Sequence, residues 1–297
     1  MTDSKKSYLA AAAAIIIWGT LASTVKVLTG GMSDLQVLAV SGWFGGFFLL
    51  IWALAGDTRK YFRDYSPRDY FSMAWLGFIG LFTYSALYYY GLSQLSAQEA
   101  CILNYLWPVT TILFSCLILK EPFTARKAVA TMLSFAGIVV VMAGRGEAGR
   151  GNAAAGIAAC VMAAVCYGFF SAMNKKKAMN QNITMMVVWF VTGAAASGLC
   201  ALRGAWSPVT PLQLLGLAYL GVVVQALANL FWAVAVNRAK NTALVANLAF
   251  LVPFLSVVVS TTMLHEPLSL SALAALILIV SGILIQSGVI RFGKLSS

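Results

Sequence analysis

Long apolar stretches separated by short polar loops dominate the pattern of this chain. Each stretch holds about 20 residues, the length at which an α-helix crosses the hydrocarbon core of a bilayer. The pattern predicts ten membrane-spanning helices: Tyr8 to Leu28, Leu35 to Ala55, Tyr70 to Gly91, Ser96 to Leu119, Arg126 to Ala143, Ala153 to Met173, Ile183 to Leu202, Leu212 to Val236, Ala243 to Leu264 and Ser271 to Ile290. The predicted fold is therefore an all-α integral membrane protein.

The second half of the sequence repeats the first. A shift of 145 residues aligns several rare features: Pro108 with Pro253, Glu121-Pro122 with Glu266-Pro267, and Gly137 with Gly282. Each half holds five predicted helices, and because five is odd, the second half must enter the membrane from the opposite side. We therefore predict two inverted five-helix repeats, residues 1–147 and 148–297, that form one transport domain.

The basic residues predict the orientation of the chain. With a cytoplasmic N-terminus, sixteen of the twenty Lys and Arg residues fall in inside loops, and the outside loops hold only Arg145, Arg150 and Arg203. This bias follows the positive-inside rule and predicts that both termini are cytoplasmic, as in a multi-pass protein of a bacterial inner membrane. The net charge of +11 forms no basic stripe, so it does not indicate nucleic-acid binding.

Composition narrows the class of protein further. The chain is 61% hydrophobic and 10% charged, with a mean hydropathy of +0.85, whereas soluble domains carry about 45–50% apolar and about 25% charged residues. The lipid bilayer is therefore its expected surroundings. The five cysteines lie within predicted helices without a C-x-x-C spacing, and H-E-x-x-H and G-x-S-x-G motifs are absent. We expect no enzyme, and hence no catalytic, cofactor-binding or metal-binding residues.

Polar and aromatic residues within the predicted helices are candidates for lining a cavity. Tyr84 and Tyr88 lie one helical turn apart on one face, and Gln225 and Asn229 share that spacing in the eighth helix. The 145-residue shift aligns Tyr84 with Asn229. Such a pair at matching depth is typical of a site at the interface between two repeats.

Two further helices contribute candidates. Asn104 and Trp107 lie three residues apart in the fourth helix, next to Pro108, whose missing N–H can free a carbonyl and bend the helix. In the sixth helix, Tyr167 shares a face with Asn174. A structural interpretation stays open for all of these residues. Membrane Trp and Tyr often form interfacial belts, and buried Asn or Gln often bond a neighbouring helix for about 0.6 kcal/mol.

The N-Y-L-W-P run from Asn104 to Pro108, the prolines of the fourth and ninth helices, and the Glu-Pro turn after each together resemble the EamA-type drug/metabolite transporter superfamily. Within it, this run, Trp18 and Asn174-Lys175 are similar to bacterial exporters of aromatic amino acids. The resemblance implies export of aromatic and other apolar amino acids by alternating access. It also implies that Trp18, Tyr105 and Trp107 join the substrate-binding residues.

Other functions remain alternatives at this point. A carrier of the same superfamily for another small organic solute, such as a nucleotide sugar or an amphipathic drug, is the main one. No Arg or Lys is predicted at mid-span, which disfavours a phosphorylated ligand, and Lys26 and Lys175 are expected to snorkel from helix ends. The absence of a mid-span carboxylate favours a facilitator over a proton-coupled pump. A channel fits poorly with inverted halves, and no obligate protein partner is implied.

Overall fold

The structure, a computed structural model, describes residues 3–143, 152–177, 179–239, 245 and 248–289, and within them it is helical without strands. Eight helices in these residues are long and apolar enough to cross a membrane: α1 Lys5–Thr29, α2 Asp34–Ala55, α3 Pro67–Gln94, α4 Ala97–Ile118, α5 Ala125–Ala143, α6 Ala153–Lys177, α7 Gln181–Leu202 and α8 Pro211–Asn237. Two shorter apolar helices follow, α9 Leu251–Met263 and α10 Leu270–Gln286. The predicted start of the ninth span at Ala243 lies outside the described residues.

Several helices begin one to three residues before the apolar stretch that predicted them. Helix α3 starts at Pro67, where the Ser66 hydroxyl accepts from the N–H of Asp69 and the Asp69 carboxylate accepts from the N–H of Ser66. Helix α8 starts at Pro211 with the same reciprocal cap, here made by Thr210 and its partner three residues on. Hydropathy detects only the apolar part of each helix, so these polar capping turns were missed.

Helix α4 is interrupted just before Pro108, near the position where the sequence predicted a bend. Its regular α-helical segments are Ala97–Asn104 and Trp107–Ile118, which leaves Tyr105 and Leu106 as a short turn between them. Pro108 follows directly and has no N–H to continue the i to i−4 hydrogen bonds. The Trp107 side chain therefore projects from the first residue of a new helical segment.

Helices α3 and α8 share an irregularity of their own. Each contains a π-helical segment, Gly77–Phe82 in α3 and Tyr219–Leu227 in α8. Wider π turns shift the angular position of all residues that follow, and they are frequent at functional sites. In α3 the segment ends just before the candidate residue Tyr84, and in α8 it includes the candidate residue Gln225.

The helices pack in pairs that match when the two halves are exchanged. Helix α2 packs on α7 and α5 packs on α10. Helix α6 packs on α3 and α4, and its counterpart α1 packs on α8 and α9. Glycines allow the close approaches: Gly42 lies against Gly193, and Gly137 and Gly282 each lie against the backbone of the opposing helix.

The two Glu-Pro turns have the same backbone geometry. Lys120 and His265, which precede the glutamates, are the non-glycine residues with positive φ in the described part of the chain, at 57° and 53°. The N–H of the glutamate that follows reaches back to the carbonyl oxygen of Ser115 in one turn and of Ser260 in the other, at 3.4 Å in both. Two left-handed turns at equivalent positions extend the sequence repeat to the backbone.

Candidate functional site

A cavity of about 360 Å³ lies where the two halves meet, within the roughly 300–1,000 Å³ typical of small-molecule sites. All nine residues selected from the sequence line it: Trp18, Tyr84, Tyr88, Asn104, Tyr105, Trp107, Tyr167, Gln225 and Asn229. They come from five helices, three in the first half of the chain and two in the second. The structure brings these nine side chains together, and their role as substrate contacts stays a prediction.

Aromatic rings form one wall of the cavity. The Tyr167 ring lies at its centre, with its centroid 4.9 Å from that of Tyr84 and 5.1 Å from that of Trp107. Tyr84 in turn stacks on Tyr88 at 5.9 Å. The turn at Tyr105 is held in place by its hydroxyl, which donates to the carbonyl oxygen of Ala249 on the opposite half. These contacts give the wall a fixed shape before any ligand is present.

Sequence reasoning missed several lining residues. The additional ones are Leu21, Ala22, Leu81, Ser85, Tyr89, Cys101, Gln181, Met185, Trp189, Val224, Trp232, Ala249, Val252 and Ser256. A signal for some of them was present. Gln181, Met185 and Trp189 follow one another at four-residue intervals, so they share one face of α7. Trp232 lies about two helical turns after Gln225, and its ring lies 5.5 Å from that of Trp18.

A polar cluster lies about one helical turn beyond the lining residues Ala22 and Cys101. We call it the Glu266 cluster, and it is formed by Lys26, Gln98, Glu266 and Ser269. The Glu266 carboxylate accepts from the backbone N–H groups of Ala97, at 2.8 Å, and Gln98, at 3.3 Å, the first residues of α4. Gln98 is buried and bonds back to the carbonyl oxygen of Pro267 and the N–H of Ser269. A carboxylate at a helix N-terminus is favoured by the helix dipole.

Lys26 completes this cluster and differs from the sequence expectation. Its ammonium group was expected to snorkel to the membrane surface, but it donates to the carbonyl oxygens of Leu92, at 2.8 Å, and Leu95, at 2.5 Å. These carbonyls lie at the C-terminal end of α3, Leu92 in its last turn and Leu95 directly after it, where carbonyl groups lack partners within the helix. Lys26 therefore ties α1 to the end of α3 beside Glu266.

The opposite end is more open. Glu121, the repeat counterpart of Glu266, pairs with Lys127 at 3.3 Å and with Lys175 at 3.1 Å, and the Lys175 side chain is 67% exposed. The hydrogen bonds from Lys175 and Lys127 lower the pKa of the Glu121 carboxyl below its ordinary value. Gln181 lines the cavity and is exposed at this end. Gln181 bonds to Asn174, next to Lys175, so the exposed part of the lining lies on the side of Glu121.

The chemistry of the lining is neutral. Among the described residues that line the cavity there is no Asp, Glu, Lys, Arg or His side chain. Within the same part of the chain, no group of three or more His, Cys, Asp or Glu side chains is arranged to hold a metal ion. Rings, amides and hydroxyls are suited to binding a small amphipathic molecule by contact and hydrogen bonding.

Long apolar helices around an internal cavity define a multi-pass membrane protein of the transporter class. The chain matches the EamA-like transporter family over residues 5–143 and again over 154–288, and it belongs to that family. Members of this family are transporters and not enzymes. The expected resemblance is therefore confirmed, and each half of the chain holds one copy of the family domain.

Named relatives agree on transport and differ in what is known of them. The chain is 27% identical to the uncharacterized transporter YvbV of Bacillus subtilis, over 91% of this chain and 87% of that protein. It is 26% identical to the aromatic amino acid exporter YddG of Ancylobacter novellus, over 82% of this chain and 83% of that protein. A crystal structure 22% identical in sequence superposes with a TM-score of 0.68 over 95% of this chain and 96% of that chain, which supports the fold.

Proposed function

We propose that this protein exports aromatic and other apolar amino acids from the cytoplasm across a bacterial inner membrane, as a facilitator that works by alternating access. The observation that carries the proposal is the cavity where the halves meet, with aromatic rings on one wall and amide groups beside them. An amino-acid side chain can pack against the Tyr167, Trp107 and Tyr84 rings, at about 0.5–1.5 kcal/mol for each aromatic contact. The amides of Asn104, Gln225 and Asn229 are available for its backbone groups.

The alternating mechanism follows from our proposal that residues 1–147 and 148–297 are inverted repeats with ten spans in all. Support comes from helices related by the repeat that run antiparallel. Gly137 of α5 packs beside Ala275 of α10, whereas Gly282 of α10 packs beside Ala130 of α5. Two halves of one fold in opposite orientation give two end states of similar energy, one open to each side.

The described conformation is then open to the cytoplasm. The positive-inside rule assigns the Lys120 to Lys127 loop to the cytoplasmic side, which is where the exposed part of the lining lies. Its counterpart, the turn that carries Glu266, lies at the opposite end. In the opposite state the contacts of Glu266 with α4 would separate and the cavity would open to the outside. The N- and C-termini would both face the cytoplasm.

Topology offers a first test of the inverted arrangement. We expect a cysteine introduced in the Lys120 to Lys127 loop to react only with reagents applied from the cytoplasmic side. A cysteine in the turn between His265 and Leu270 should react only from the outside. The positions should be assayed in intact cells and in inverted vesicles at matched protein abundance. If both loops react from the same side, the inverted repeat and the alternating mechanism are wrong.

Flux in liposomes tests the function itself. Because the described lining holds no titratable carboxylate or histidine, we expect a tryptophan gradient alone to drive saturable flux through the purified protein. Adding a protonophore or imposing a pH gradient should leave the initial rate unchanged. Liposomes without protein provide the control for passive leak. Flux that requires the pH gradient would contradict the facilitator mechanism. The absence of any protein-dependent flux would contradict tryptophan as a substrate.

The main alternative is a carrier of the same family for another small organic solute, such as a nucleotide sugar or an amphipathic drug. The uncharacterized relatives YvbV and YyaM of Bacillus subtilis are compatible with it. A phosphorylated solute is disfavoured because the described lining offers no Lys or Arg to compensate its charge. A drug without an ammonium or other hydrogen-bonding group would not use the amides, so loss of the amides would leave the flux of such a drug unchanged.

A further inference from the structure

The amide of Gln225 has an unusual arrangement of hydrogen bonds. Its nitrogen donates to the Ser41 hydroxyl and to the Tyr89 hydroxyl, both at 3.1 Å, which uses both amide hydrogens. The Oε1 oxygen is buried without a hydrogen-bond partner, and the residue is 4% exposed. A buried amide oxygen without a partner is costly. A donor from a ligand in the adjoining cavity would remove that cost.

Two other amides in the cavity are oriented in the same way. The Asn104 nitrogen donates to the Tyr84 hydroxyl at 3.2 Å, and its Oδ1 oxygen is also buried without a partner. The Asn229 nitrogen donates to the carbonyl oxygen of Gln225 at 2.7 Å. A backbone carbonyl can only accept, so this bond fixes the orientation of the Asn229 amide. At all three positions the nitrogen bonds to protein, which leaves the oxygen as the acceptor for a ligand.

The aromatic rings favour the same kind of ligand. The faces of Trp and Tyr rings carry negative partial charge and attract a cation within about 6 Å. Trp107 and Tyr167 meet edge to face at 5.1 Å, and the Trp18 and Trp232 rings lie 5.5 Å apart. An ammonium group in this cavity would therefore meet ring faces as well as amide oxygens.

A carboxylate would find weaker compensation. The lining offers it only neutral donors, such as the Trp189 Nε1–H, which is buried without a hydrogen-bond partner, and the Tyr84 hydroxyl, whose hydrogen is not used by the bond from Asn104. None of the described lining residues is cationic. Neither an ammonium group nor a carboxylate meets an opposite charge here, but the ammonium group gains the ring faces in addition to neutral hydrogen-bond partners, whereas the carboxylate has the neutral donors alone. The cavity is thus asymmetric, with stronger provision for the positive group of a ligand than for the negative one.

We propose that the cavity recognises the ammonium group of its ligand, so that arylalkyl amines without a carboxylate are also ligands and substrates. Tryptamine is the simplest probe of this class, since it keeps the ring and ammonium group of tryptophan and lacks the carboxylate. Indole-3-propionate is the complementary probe, because it keeps the ring and carboxylate and lacks the amine. The proposal rests on the proposed function for its site and extends it to a second chemical class.

Binding to the purified full-length protein in detergent, measured by calorimetry at neutral pH, tests this inference. We expect tryptamine to bind at least as tightly as tryptophan, and indole-3-propionate to bind about tenfold more weakly or worse. Asn104→Leu should weaken tryptamine binding about tenfold through loss of the acceptor. Trp189→Phe should weaken tryptophan binding and leave tryptamine binding unchanged, because it removes only the N–H donor.

The wild-type series decides the question even if a variant fails to fold. Indole-3-propionate binding as tightly as tryptamine would overturn the inference, because the carboxylate would then be the recognised group. Tryptophan transport without tryptamine binding would also overturn it and leave the proposed function intact. Tryptamine binding without tryptophan binding or transport would instead contradict the proposed function and support the amine class. If none of the three probes binds, both the inference and the proposed function are wrong.

Discussion

Trp107→Ala is expected to lower tryptophan transport about tenfold, which corresponds to ~1.4 kcal/mol, and to lower transport of a small amino acid such as threonine much less. Trp107 begins the second segment of α4, and its ring meets Tyr167 edge to face in the cavity wall. The lost contact is with the substrate ring, so the ratio of the two rates should change. Asn229→Ala should instead lower the transport rates of tryptophan and threonine alike, because its amide would bind the backbone groups that all amino acids share.

The appropriate control is Trp75→Ala. Trp75 is also in a long apolar helix, but it is 57% exposed and its ring stacks only on Phe78 among the described rings. Because truncating a packed Trp can destabilise a fold by about 3–5 kcal/mol, rates should be compared at matched membrane abundance. Trp107→Phe should recover most of the tryptophan rate. Equal losses for tryptophan and threonine in a stable Trp107→Ala protein would remove Trp107 from the substrate site.

Glu266→Gln is expected to shift the protein toward the state that is open to the outside. The carboxylate now bonds to the first N–H groups of α4, and hydrogen bonds to charged groups contribute about 1.5–3 kcal/mol. Cys101 lines the cavity and is 7% exposed, so it reports access from each side once the other four cysteines are replaced. We expect its rate of modification by a charged thiol reagent from outside to rise about tenfold.

Asp69→Asn is a matched control for this shift. It removes one carboxylate that also caps a helix, but Asp69 caps only its own helix, through Ser66. Access to Cys101 from outside should therefore stay unchanged in that variant. If Glu266→Gln leaves the external rate unchanged as well, the Glu266 cluster does not hold this end closed. A rise in both variants would indicate general loosening instead.

Much of the site followed from sequence because its residues are exceptions to the pattern around them. Asn104, Gln225 and Asn229 are amides within apolar helices, and Tyr84 aligns with Asn229 by the repeat. Pro108 predicted the interruption that the structure has at Tyr105 and Leu106. In each case one residue type is costly in lipid, so its presence indicates a buried or functional position.

The rest depended on contacts between distant parts of the chain. Trp189 shares one face of α7 with Gln181 and Met185, but only the assembled helices show that this face lines the cavity. Glu266 lies in a loop, where a carboxylate needs no explanation, yet it caps a helix 169 positions away. The Lys26 ammonium group was expected at the membrane surface, but it donates hydrogen bonds to backbone carbonyls at the C-terminal end of α3. Such partners are set by tertiary structure and leave no local pattern.

Counterflow through the reconstituted protein tests the central claim most directly. Liposomes are loaded with excess unlabelled tryptophan, diluted into a trace of labelled tryptophan, and followed for accumulation of label. A carrier with one cavity that alternates between the two sides should take up label to a transient overshoot, because outward and inward steps exchange one molecule for another. Trp107→Ala should lose most of the overshoot. A steady rise to equilibrium without an overshoot, or no protein-dependent uptake, would contradict the account.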